Sequence, residues 1–180
     1  MDRFSFFQLA LQQLGDRDYV QGSPSGDACE LNVKSVFSEA LHYGAWTFAT
    51  KSTTLKLKEG CYALPANCLR LLSCSLRGFR LEGSSLYPKR ETSEDVSIRY
   101  ITDDIARSME LPDNQPSFVR ACVLLLAARC ASKIAGSIKL GANLEQVAMQ
   151  HFAEALHKDI IQHASNDQHP LDIILNQSSF

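Results

Sequence analysis

Apolar residues recur at three- and four-residue steps near the start of the chain, where Phe4, Phe7, Leu11 and Leu14 share one side and Gly15 follows. That spacing predicts an amphipathic helix over residues 4–14, with the glycine at its C-terminal cap. The turn formers Gly22-Ser23-Pro24-Ser25-Gly26 break the pattern. Asp27 then caps a second expected helix over 27–43, with Leu31, Phe37, Ala40 and Leu41 on its apolar side and Gly44 at its end.

From Thr53 the period shortens to two: Leu55 and Leu57 face one way, Lys56 and Lys58 the other. Strand-like runs at 69–72, 76–81 and 96–101 continue this texture, separated by Gly78, Gly83 and the polar stretch 89–95. Residues 53–101 therefore read as a small antiparallel insertion.

Helical spacing returns at Pro116, a favourable first-turn residue, and predicts a helix over 116–136 ending at Gly136. Val119, Val123, Leu126, Cys130 and Ile134 form one stripe, and Leu124, Leu125 and Ala128 cover another side. A helix apolar nearly all round calls for packing by neighbouring helices or by other subunits. Asn143 is placed to cap a last helix over 143–164, in which Leu144, Ala148, Phe152, Leu156 and Ile160 recur every four residues.

The expected fold is thus mainly α, a four-helix body with a small antiparallel β insertion, of class α+β. Residues 1–165 make one domain. Residues 166–180 form a C-terminal arm in which Pro170 precedes Leu171, Ile173, Ile174, Leu175 and Phe180, a set too small to bury itself and suited to a partner surface.

Composition narrows the function classes. A chain of 180 residues, 45% hydrophobic, can bury a core of its own. Its 18 basic and 20 acidic side chains leave a formal charge of -2, which gives no general attraction for nucleic acid or anionic membrane. The longest apolar run, Ala121 to Ala128, lies between Arg120 and Arg129 and is far shorter than the roughly 20 residues that span a bilayer. The first residues lack the long apolar core and small-residue cleavage site of a secretory signal.

Candidate chemistry is sparse. Cys29, Cys61, Cys68, Cys74, Cys122 and Cys130 sit at wide, irregular spacings in apolar segments, as buried thiols of a reducing compartment do. His151, His157, His163 and His169 are six residues apart, which turns each about 240° from the last, so they share no face for a metal. Asp103-Asp104 could in principle hold magnesium or serve in hydrolysis, but a solvated turn or helix cap is the preferred reading of the pair. Phosphate-loop, dinucleotide-binding and serine-elbow motifs do not occur.

Six cations of the strand-rich region, Arg70, Arg77, Arg80, Lys89, Arg90 and Arg99, stand with Phe79, Tyr87 and Tyr100. Such a set over 70–99 would suit a nucleic-acid-binding regulator, although Glu82, Glu91, Glu94 and Asp95 offset much of its field.

Several segments, in their order, resemble a known family. They are Trp46-Thr47-Phe48-Ala49, Tyr62-Ala63-Leu64-Pro65 with the following Ala66-Asn67-Cys68-Leu69-Arg70, Tyr100-Ile101 before an acidic turn, Ser117-Phe118, Leu126-Ala127-Ala128-Arg129 and Ile134-Ala135-Gly136-Ser137. Together they are similar to the head-to-tail adaptors of tailed double-stranded DNA phages, of the tail tubular protein A or gatekeeper type. The resemblance covers roughly residues 4–165.

It implies a virion structural protein at the head–tail junction, without catalysis, metal or cofactor. The implied assembly is a closed ring of about twelve copies below the portal. Its implied partners are the portal protein, a downstream tail or nozzle protein, and double-stranded DNA passing through the lumen without sequence specificity. On this expectation Leu171, Ile173, Ile174, Leu175 and Phe180 meet the portal, and Arg80, Tyr87, Lys89 and Arg90 face the tail. Trp46, Phe48, Phe118, Leu125 and Ile134 serve the core or subunit contacts. The long loop domains of some tail tubular proteins are absent from this chain.

Overall fold

In a computed structural model of the chain, residues 1–16, 18–90 and 94–167 are described, with side chains through Gln162. Helices occupy 52% of the described residues and strands 20%, the strands lying in two small antiparallel sheets, so the class is α+β. The described helices number five rather than four.

The first helix, α1 (Arg3–Gln12), is capped by Asp2, whose carboxylate accepts the Ser5 N–H at 2.9 Å. It buries Phe6, Phe7, Ala10 and Leu11, whereas Phe4 is 58% exposed and lies edge-on to Tyr19. The inward arc is therefore rotated from the one expected. Helix α2 (Pro24–Tyr43) starts a turn before the expected cap at Asp27. Ser23 accepts the Gly26 N–H at 3.0 Å, and Pro24 needs no donor in the first turn. Gly26 is required by close packing, since a Cβ there would stand 2.5 Å from the Val20 carbonyl oxygen. Leu31, expected inside, is 79% exposed.

After a 3-10 turn at Thr47–Ala49 come β1 (Thr50–Leu55), β2 (Tyr62–Ala63), β3 (Cys68–Cys74), β4 (Phe79–Glu82), β5 (Ser85–Pro88) and β6 (Val96–Thr102). Their sheet orders are β1-β6-β3 and β2-β5-β4, with every pairing antiparallel. The insertion thus runs from 50 to 102, slightly beyond the expected 53–101. The expected run 76–81 is instead a turn followed by β4, and Gly78, at φ 75°, makes the bend.

Strand β6 joins the two halves of the molecule. Val96, Ile98 and Tyr100 point into a small core with Leu55, Tyr62 and Leu86, while Ile101 belongs to the larger helical core. Neighbouring residues on a strand face opposite ways, so Tyr100 and Ile101 serve different cores.

A short helix, α3 (Asp104–Ser108), follows; the pattern had suggested only a turn or cap there. Helix α4 (Pro116–Ile134) buries nearly every side, with Phe118, Val119, Ala121 through Ala127, Cys130 and Ala131 all inside. Its apolar faces are covered within the chain, chiefly by α5 and α2 and also by α1. Packing by neighbouring helices of the same chain therefore accounts for them.

Helix α5 (Ile138–Asp167) begins five residues before the expected start at 143 and includes Asn166 and Asp167 of the expected arm. The Ser137 hydroxyl accepts the Leu140 N–H at 3.1 Å, which places the cap there and not at Asn143. Ala148, Phe152 and Ala155 are buried, but Ile160 is 55% exposed. A strict four-residue step advances about 400° and drifts off the buried face by the last repeat.

Candidate functional site

Three features could carry function: an aromatic junction between the helical body and the sheets, the outer face of the β4–β5 hairpin, and a groove between α1, α4 and α5. The junction gathers residues remote in sequence. Trp46 stands edge-on to Phe118 with ring centroids 4.9 Å apart, Phe48 meets Phe118 at 4.9 Å, and Phe152 closes the cluster from α5. The Trp46 indole N–H donates to the Ala40 carbonyl at 2.7 Å, so the ring is buried without losing its polar partner.

Just beyond it, the Asp159 carboxylate, only 1% exposed, accepts the Thr47 N–H at 2.8 Å and the Thr47 hydroxyl at 2.5 Å. Arg70 reaches from β3 to donate to the Gly44 carbonyl at 2.8 Å. Its Nε is buried with no partner among the described residues. Trp46, Phe118 and Leu125 are fully buried inside the subunit, and Phe48 and Ile134 are partly buried against the same core. Asp159 was not singled out by the sequence. An acidic residue at a helix position facing the core was the available signal.

The acidic pair is engaged in structural contacts. Asp104 accepts from Lys51 at 2.6 Å and from the Asn67 amide at 2.9 Å, and Asp103 accepts from Arg107 at 2.6 Å. The hydrogen bond from Lys51, followed by that from Asn67, holds the Asp104 carboxyl below its ordinary range. Lys51 is correspondingly pushed up. Arg107 also donates to the Ala66 carbonyl at 2.6 Å, so the cluster fastens α3 to the β2–β3 loop. Among the described residues, no group of three or more His, Cys, Asp or Glu is placed to hold a metal ion.

On the β4–β5 hairpin, Arg80 lies opposite Tyr87, its guanidinium carbon 5.8 Å from the ring centroid, and it pairs with Glu82 at 2.7 Å. Lys89 and Arg90 follow at the exit of β5, both exposed. Arg80, Tyr87, Lys89 and Arg90 thus share one region. Of the other cations expected with them, Arg70 turns away toward Gly44. Arg77 lines a small cavity of about 340 Å³ with Arg90, Glu94 and Asp95.

Of the four spaced histidines, His169 and the side chain of His163 lie outside the described residues. His151 is half-buried 3.6 Å from Glu154, and His157 is exposed. All six cysteines are free thiols, with Cys29, Cys122 and Cys130 buried. Contact with Cys130 raises the Cys29 thiol above its ordinary pKa, and burial raises that of Cys122, so both stay protonated. Leu171, Ile173, Ile174, Leu175 and Phe180 lie outside the described residues. No described helix is long and apolar enough to cross a membrane.

Comparison with known proteins returned no matching family model and no matching curated protein.

Proposed function

We propose that the chain is a head-to-tail adaptor subunit of a tailed double-stranded DNA phage, a non-catalytic part of the virion at the head–tail junction. In this reading four long helices form the body of each subunit in a closed ring below the portal. The genome passes through its lumen, and the tail attaches beneath. The segment beyond α5 is the portal-facing arm, and the hairpin with Arg80, Tyr87, Lys89 and Arg90 faces the tail.

One observation carries the proposal. Four of the segments that resemble the adaptors are scattered over the sequence yet meet in pairs in the two cores. Trp46, Phe48 and Phe118 pack as one aromatic cluster, Tyr62 and Tyr100 share the second core, and Ile101 ties that core to the first. The order of the segments along the chain, together with these contacts, supports the reading.

The test is co-expression with the portal protein of the same phage, followed by particle imaging and mass measurement. The expected result is a ring of many subunits stacked on the portal. A chain that stays monomeric beside the portal but retards duplex DNA would replace the adaptor by a nucleic-acid-binding regulator acting through residues 70–99.

A further inference from the structure

Two buried thiols, far apart in sequence, meet across the contact between α2 and α4. Cys29 on α2 is 0% exposed and Cys130 on α4 is 1% exposed. The Asn32 amide fixes their relative height. It stands one turn beyond Cys29 on the same helix, donates to the Ala28 carbonyl at 2.8 Å and reaches the Cys130 sulfur at 4.0 Å. The Cys130 sulfur therefore sits against α2 at the level of Ala28 and Cys29, where the two thiols hydrogen-bond to each other. The buried side chains around them are small: Gly26 and Ala28 on α2, Ala127 and Ala131 on α4. Small side chains permit the close helix approach that a disulfide needs, with its Cα atoms within about 7 Å.

We propose that Cys29 and Cys130 form a redox-controlled staple, which closes to a disulfide between α2 and α4 when the chain meets a peroxide and reopens with a dithiol reductant. Cys130 is the attacking sulfur. The hydrogen bond from Cys29, aided by the Asn32 amide and the Lys133 charge, holds the Cys130 thiol below its ordinary range against the opposing effect of burial. The same hydrogen bond and burial raise Cys29, which keeps its proton until the second step.

The Cys130 thiolate attacks one oxygen of hydrogen peroxide and the O–O bond breaks, leaving a sulfenic acid. The departing oxygen takes the proton that Cys130 gave up. Cys29 then attacks the sulfenic sulfur, the S–O bond breaks, and hydroxide leaves with the Cys29 proton as water. The two thiols lose two electrons, and the peroxide is reduced to two waters. Because both sulfurs are shielded, the oxidant enters as α2 and α4 part locally, and the closed disulfide then opposes that parting. The link closes a loop of about 100 residues, which removes conformational freedom from the unfolded chain. Disulfide formation does not depend on the adaptor reading. Only its use does: a subunit assembled in a reducing cytosol would be locked once the particle meets an oxidising exterior.

The experiment exposes the full folded chain to hydrogen peroxide, alkylates the remaining thiols in denaturant, and maps unreduced tryptic peptides by mass spectrometry. Cys29 falls in the peptide Asp18–Lys34, Cys130 in Cys130–Lys133 and Cys122 in Ala121–Arg129, so each sulfur is read separately. The expected product, in most chains, is 18–34 joined to 130–133, released by dithiothreitol, with Cys122 still alkylated. The linked chain should melt at least about 5 °C above the reduced one. Cys130→Ser should abolish both the link and the peroxide-induced rise in melting temperature. Recovery of Cys29 and Cys130 as free thiols or sulfinic acids, either one joined to another cysteine, or a linked chain that melts no higher would each overturn the proposal. The map on the parent chain decides the matter even if Cys130→Ser fails to fold.

Discussion

Thr47 donates both its backbone N–H and its hydroxyl to Asp159, 112 residues further along the chain, at 2.8 and 2.5 Å. The contact fastens the 3-10 turn that leads into β1 to the distal half of α5, beside the Trp46 and Phe118 rings. A buried carboxylate is costly to desolvate and is retained where donors meet it. This pair therefore fixes the angle at which the sheets leave the helical body.

Asp159→Ala would remove the acceptor that both Thr47 donors share at a partly buried site. Leaving a buried polar group without its partner costs about 1–3 kcal/mol. For a chain of this size that corresponds to a loss of roughly 2–4 °C in melting temperature per kcal/mol. Thermal unfolding followed by circular dichroism checks it, and an unchanged melting temperature would remove the clamp from the account. Thr47→Val, which deletes only the hydroxyl, should have the smaller effect.

The Lys51–Asp104 contact makes a pH prediction with a definite sign. Asp104 is held below its ordinary value of 3.8 by Lys51 and Asn67, so the folded state binds its proton less readily than the unfolded chain. Its contribution is present above about pH 4 and is lost as pH falls through the lowered folded value. Because the Asp104 side chain is 42% exposed, solvent screening keeps the effect small. Asp104→Asn should flatten the acid limb of a plot of melting temperature against pH while leaving neutral stability little changed. An acid limb identical to that of the parent would show that other carboxylates dominate it.

Periodicity made the helical body legible where a single contact face persisted. Pro116 and Gly136 bracket α4 in sequence, and the apolar positions between them are the buried ones. It failed where arcs overlap: Phe4 and Leu31 continue plausible stripes, yet in a three-helix contact the buried arc passes through Phe6 and Val33 instead. The strands β2 and β5 were missed because two to four residues are too few to show alternation. The candidate surfaces divide along the same line. Aromatic identity pointed to Trp46 and Phe118, but the groove beside Leu9 arises from the angles between helices, which no local pattern records.

Burial separates two leucines that sequence alone treats alike. Leu125 is completely buried in α4, and Leu31 is 79% exposed on α2. Leu125→Asp would place an unpaired charge in the core and should leave the chain unfolded or insoluble. Leu31→Asp should fold with stability within about 0.5 kcal/mol of the parent. Soluble yield and urea denaturation of the pair provide the check; a well-folded Leu125→Asp chain would displace α4 from the centre of the body.

The adaptor proposal also predicts a polarity, and the fold decides how it can be tested. Replacing 83–95 by a short turn would remove β5, the middle strand of its sheet, together with Leu86 from the second core. Loss of tail attachment would then report only a collapsed insertion. Charge reversal on the hairpin avoids this, because Arg80 and Lys89 are exposed and their removal empties no core. Arg80→Glu combined with Lys89→Glu breaks the Glu82 pair and the contact with Tyr87, both of which are surface interactions of small energy. The doubly substituted chain should fold, bind portal as the parent does, and fail to recruit the next tail component. Rim charges act mainly on association rate and salt dependence, so the difference from the parent should narrow as rising ionic strength screens these charges. Portal binding lost while tail binding is kept would invert the proposed polarity. Retention of both would move the tail contact off the hairpin.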